Sequence, residues 1–217
     1  MTPEDLAAVM SLMVAPGRGR RGSPDEVLRH FGATDGKALG LSLLRDAVDH
    51  EDGLDVEMAL IVCATFGFTM GHLDLLVRLA WAGWHHKHED VVAALGQLRA
   101  PAAVDALYHA AWWVPDYLDF DESRALAVKA IWALGGTPGD KAEQALAELV
   151  GAEDEIVREA ARAQLDGSGR LREVRQLHLR ECGDRQLVLL RGRVGRVCLF
   201  RTTPQGSVQR ERAAREA

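Results

Sequence analysis

Cysteine is scarce in this chain of 217 residues: Cys63, Cys182 and Cys198 are odd in number and far apart. That pattern excludes a disulfide framework and leads to the expectation of a cytoplasmic protein with free thiols. Long apolar runs are missing too, and none reaches the ~18 residues that a membrane span needs. The opening MTPEDLAAVMSLMVAPGRGRRG carries acids where a signal peptide has its positive region, and its apolar stretch is short. Catalytic signatures are also lacking. The chain has no G-x-S-x-G elbow and no metalloprotease motif, so no catalytic residue is assigned and a non-enzyme is expected. Apolar residues are plentiful at 47 %, enough for a sizeable core and too many for wholesale disorder.

The net charge of −6 conceals a split. Residues 1–167 hold 14 basic and 27 acidic side chains, a balance of −13, whereas residues 168–217 hold 12 arginines, no lysine and five acids, a balance of +7. The acidic part reads as short amphipathic helices. Ser23-Pro24-Asp25-Glu26 fits a capping box, with a serine oxygen for an early amide and a glutamate three residues on. It opens a helix ending near Phe31, and further helices are expected over 36–49, 55–67, 70–82, 88–99, 101–113, 122–135, 138–150 and 153–166. Between them lie turn signals such as Gly53, Gly67, Gly83, Pro101, Pro138-Gly139 and Gly151.

The last four of these helices repeat. Ala103-Val104-Asp105-Ala106-Leu107 aligns with Ala142-Glu143-Gln144-Ala145-Leu146 at an offset of 39, while Leu126, Ala130, Leu134 and Gly136 align with Val157, Ala161, Leu165 and Gly167 at an offset of 31. The second unit is therefore a helix pair of about 30 residues, and the first is the same pair carrying eight more between its helices. PGDKAEQALAELVGAEDEIVREAARAQLDG, with V-R-x-x-A-x-x-x-L-x-G on Val157, Arg158, Ala161, Leu165 and Gly167, resembles a HEAT repeat of the short phycobilisome-lyase-like type. The likeness is good over 138–167, fair over 101–136 and only by pattern over 23–99, where Val91-Val92-Ala93-Ala94-Leu95-Gly96 echoes the end of a repeat. The composition is similar to that of HEAT-repeat proteins of high-GC bacteria. The resemblance implies an all-α, right-handed α-solenoid of about four helix pairs with a concave binding face. Domains follow as a flexible segment 1–22, a HEAT-like solenoid 23–167 and an Arg-rich extension 168–217.

The eight extra residues fall in WWVPDYLDFD, an aromatic and acidic stretch between two helices. Insertions in repeats map to one face, and tryptophan and tyrosine dominate interface hot spots. Trp112, Trp113, Tyr117 and Phe120 beside Asp116, Asp119 and Asp121 suit a protein partner with a basic, apolar-lined surface. The same rings also suit an internal lid on the core, with the aspartates merely solvated. Adjacent Trp112 and Trp113 point about 100° apart on a helix, which lets at most one be deeply buried.

A second candidate is Trp81-Ala82-Gly83-Trp84-His85-His86-Lys87-His88-Glu89-Asp90, where His85, His88 and Glu89 have ligand-like spacing on one helical turn. A glycine turn precedes the histidines and a fourth ligand is missing, so no metal and no cofactor is assigned. A polar turn between helices is the plainer reading, with a pH-sensitive or partner-contacting patch at His85 and His88 beside it, since histidine titrates near neutrality. Gly17-Arg-Gly19-Arg-Arg-Gly22 spells G-x-G-x-x-G, but the strand and βαβ unit that give this motif meaning are absent, and a linker is expected. The aspartate run does not fit a calcium loop. Residues 171–181, 185–191 and 195–201 have strand-like character, compatible with a small β-meander or with weakly structured sequence, and 202–217 read as disordered. The arginines would support nucleic-acid binding, but the −13 body opposes it and Phe200 is the lone stacking ring there.

These observations favour a non-catalytic interaction module, an adaptor or an immunity-like inhibitor of a basic partner, whose capture an acidic surface would speed. The alternative, implied by the lyase-like resemblance, is lyase-like activity or small-molecule or chromophore binding, with the ligand held by Trp112, Trp113 and His88.

Overall fold

The structure, a computed structural model, describes residues 1–13 and 22–167 together with the backbone of three strands beyond them. The chain divides into two units, Met1–Asp166 and Gly167–Ala217.

The first unit is all-α. Its helices are α1 (Pro3–Met10), α2 (Pro24–His30), α3 (Gly36–Asp49), α4 (Gly53–Phe66), α5 (Leu73–Trp81), α6 (His88–Leu98), α7 (Val104–Trp112), α8 (Ala125–Gly136), α9 (Asp140–Leu149) and α10 (155–167). Local chemistry sets their starts. Ser23 and Glu26 form the expected capping box on α2. Asp35, Asp52 and Asp154 each accept two amides in the first turns of α3, α4 and α10. Within the expected flexible segment, the described residues 1–13 hold a helix. Thr2 and Asp5 make a capping box of their own, and α1 packs against α2 and α4 with Val9 fully buried. Thr2-Pro3-Glu4-Asp5 carries the same signal as Ser23-Pro24-Asp25-Glu26, with aspartate in place of glutamate. The linker over 17–21 lies outside the described residues.

Helices pack as neighbouring pairs, α3 with α4, α5 with α6 and α7 with α8. Alternate helices also touch: α3, α5, α7 and α9 in succession, and α4, α6 and α8 in succession. One core runs from Leu44 through Leu79, Leu95, Leu107 and Leu134 to Leu149 and Ala161. The aligned repeat positions are buried alike, Ala106 and Leu107 with Ala145 and Leu146, and Leu126 and Ala130 with Val157 and Ala161. Ion pairs join alternate helices at the surface: Arg78 with Asp49, Lys87 with Glu57, Lys129 with Glu89 and Lys141 with Asp105. Arg158, the arginine of the repeat motif, donates from Nη1 to the carbonyls of Ala152 (2.9 Å) and Glu153 (3.1 Å), pinning the turn between α9 and α10.

In the second unit, β1 (Val188–Arg191), β2 (Val197–Thr202) and β3 (Val208–Arg210) pair antiparallel in that order, with Leu189 opposite Leu199 and Arg201 opposite Gln209. Thr202 and Val208–Arg210 fall in the stretch read as disordered, and there the backbone is extended and paired. The strand-like reading of 171–181 lies outside the described residues.

Candidate interaction site

The insertion and the histidine turn, far apart in sequence, meet. α5 ends at Trp81 and α7 at Trp112, and these helices are neighbours in one row. The turn after α5 and the loop after α7 therefore emerge side by side. The rings they carry form one continuous array. Trp81 stacks on His109 with centroids 3.9 Å apart, and His109 stacks on Trp113 at 5.3 Å. Trp113 and His88 meet at right angles with centroids 4.7 Å apart, and His88 stacks on His85 at 4.1 Å. Tyr117 lies over both His86 (4.5 Å) and His88 (5.7 Å).

The hydrogen bonds beneath fix the protonation of this array. His85 Nδ1 accepts from the Lys87 amide (3.0 Å), so its Nε2 carries the hydrogen that is donated to the Leu79 carbonyl (2.8 Å). His88 Nε2 donates to the Ala82 carbonyl (2.7 Å), which leaves Nδ1 to accept from the Tyr117 hydroxyl (2.9 Å). The same hydroxyl oxygen accepts from the His88 amide at 3.4 Å. Both imidazoles are neutral with every ring nitrogen engaged. Burial pulls both below the ordinary histidine value, His88 to about 4, with the neighbouring His85 adding to the effect. His109 is lowered by burial as well.

This changes the roles expected from sequence. His85 and His88 are each only 1 % exposed, so they support the site from inside and do not present their rings to a partner. The stretch straddles a helix start, and His88 opens α6. Tyr117 and Trp113 are half-buried and seated on the histidine turn, while Asp121 accepts from the Ser123 hydroxyl, the Ser123 amide and the first amide of α8 at Ala125. The Ser123 contact leads in holding the Asp121 carboxyl below its usual range. Asp121 is thus a capping group. What remains outward is Trp112 (44 % exposed), Phe120 (76 %), Asp116 and Asp119. Trp81 joins them at 53 % exposure. The insertion is accordingly lid and surface at once.

Trp81, at the head of the histidine stretch, belongs to the site, as do His109 and Tyr108, which were not singled out from sequence. Tyr108 packs edge-on to Trp112, and its hydroxyl donates to Glu148 on α9 at 2.8 Å. Their signal is positional: Trp81 and Trp112 close equivalent helices of successive pairs.

Among the described residues no group of three or more His, Cys, Asp or Glu side chains is placed to hold a metal ion, and no helix is long and apolar enough to cross a membrane. The hollow beside Trp113, walled by Pro115, Leu118, Arg124 and Leu126, has about 10 Å³, room for a water molecule at most. A wider groove of about 310 Å³ runs between α4 and α6 over Leu60, Ala64, Phe68 and Ala93, and the Lys87–Glu57 pair lies along it. Comparison with family models, curated proteins and solved structures gave no match for this chain.

Proposed function

We propose that the chain is a short HEAT-like α-solenoid of about four helix pairs serving as a non-catalytic protein-binding module, an adaptor or inhibitor whose partner is basic. The solenoid reading draws support from the contacts between alternate helices and from the ion pairs that recur along both rows. One observation carries the binding reading: two large indoles, Trp81 and Trp112, stand half out of the surface at the ends of neighbouring helices, held by His109 and Tyr108 behind them. Rings fixed in this way lose little entropy on binding, which is what makes tryptophan an effective interface anchor. Asp116 and Asp119 supply negative charge on the same loop, and the −13 balance of residues 1–167 favours capture of a cationic surface.

The chromophore-binding alternative is less well supported, because the hollow beside Trp113 has about 10 Å³ and is lined by neither Trp112 nor His88. Affinity capture with mass spectrometry tests the proposal. The partner should be a basic protein bound in fixed stoichiometry, released by salt, and lost on Trp81→Ala together with Trp112→Ala. Capture that survives both substitutions would move the site elsewhere.

A further inference from the structure

Tyr117 seats the loop of residues 113–121 on the histidine turn, its hydroxyl bonding the buried Nδ1 of His88 and its ring covering it, while Leu118 packs against the core. The loop's own hydrogen bonds are single-turn ones, Leu118 amide to Pro115 carbonyl (2.8 Å) and Asp121 amide to Leu118 carbonyl (3.0 Å). The turn under it is firmer, tied by His85 to Leu79 and by Lys87 to Glu57 of α4. A proton on His88 would have no counter-charge there. The groups around it are the Ala82 carbonyl, the stacked His85, His109 from α7, and His86 and Tyr117 on the outside. The nearest carboxylates on α6 are Glu89, already paired with Lys129 of α8, and the exposed Asp90. Asp116 and Asp119 on the loop face outward. Rotation of the Tyr117 hydroxyl would let it accept from a protonated Nδ1, but the imidazolium would stay desolvated against a second imidazole. Lifting the loop gives that nitrogen to water instead.

We propose that protonation of His88 lifts Tyr117 and the loop Trp113–Phe120 off the histidine turn, making the loop an acid-released cover while Asp121 stays on the start of α8. The released form exposes Trp113, Tyr117 and His88, and so presents a different ring surface at acidic pH. The inference is independent of the partner reading.

A histidine near 6.5 when exposed and about 4 when covered favours the open loop about 20-fold more at pH 5 than at pH 7. Hydrogen exchange of the loop amides 116–121, corrected for the intrinsic pH dependence of exchange, should show protection falling by about that factor, with α7 and α8 unchanged. His86→Gln, which removes a ring from the outer face of Tyr117 and a minor electrostatic neighbour of His88, should keep the fall, and His88→Gln should abolish it. Should His88→Gln fail to fold, the wild-type protein still decides: the His88 ring resonances should titrate in step with those of Tyr117. Flat loop protection, loss spread equally over α5–α8, a fall that persists in His88→Gln, or loop opening without His88 titration would each overturn the proposal.

Discussion

Gly96 of α6 lies against Ala133 of α8 so closely that a Cβ on the glycine would stand 3.0 Å from the alanine Cβ. The two helices belong to successive pairs, so this contact sets how tightly the pairs stack. A branched side chain at position 96 has to push them apart. Gly96→Val should cost about 1–3 kcal/mol in urea denaturation, and Gly83→Val, where nothing lies within 4 Å, should not show that overpacking cost.

His72 is fully buried, and its Nε2 has no hydrogen-bond partner among the described residues. Its Nδ1 accepts from the Thr69 amide at 3.1 Å, completing a capping box on the turn that leads into α5. Burial holds it below the ordinary histidine value. The neutral ring is therefore the folded form. Its stabilising contribution is complete above the unfolded value near 6.5 and is lost as pH falls towards the lowered folded value. His72→Gln keeps an acceptor for Thr69 and removes the titration. The variant should lose less stability than wild type between pH 7 and pH 5 in parallel urea melts, whatever its stability at pH 7.

Cys63 sits in the core of α4 facing Gly40 of α3, where an added Cβ would come within 2.9 Å of its sulfur. Burial pushes the thiol up to about 12. It should resist alkylation at pH 8 in the native protein and react fully in denaturant, as peptide mapping by mass spectrometry would show.

The two adjacent tryptophans should part company in stability. Trp113 contacts His88 and His109 from above, and Trp113→Ala should lower stability by about 2–4 kcal/mol. Trp112 packs edge-on to Tyr108 and is nearly half exposed, so Trp112→Ala should cost about 1 kcal/mol or less. Chemical denaturation of both variants compares them directly.

Much of the helical order was legible because its signals are local. Capping serines and aspartates, glycine turns and apolar spacing set boundaries within a few residues, and the same positions of each repeat are buried. α1 escaped because Thr2-Pro3-Glu4-Asp5 stood in a stretch judged by its signal-peptide features and its arginine-glycine end. The insertion was recognisable as an interruption of the repeat, but the seating of Tyr117 on His88, 29 residues away in sequence, is tertiary. Periodicity carries no information about which ring meets which, and so neither the division between seated and outward residues nor the capping role of Asp121 could be read from the sequence.

The central claim is that Trp81 and Trp112 together receive a basic protein. Its most direct test is quantitative capture from a lysate of the source organism by four forms of the protein: wild type, Trp81→Ala/Trp112→Ala, Trp113→Ala/Tyr117→Ala, and Trp132→Ala, the last altering an exposed indole on α8 outside the ring array. The account predicts one basic protein in fixed ratio to wild type and to Trp132→Ala, and its loss from Trp81→Ala/Trp112→Ala while that variant keeps its fold. Retention of the partner by the Trp81/Trp112 variant, or a partner that is acidic and insensitive to salt, would contradict it.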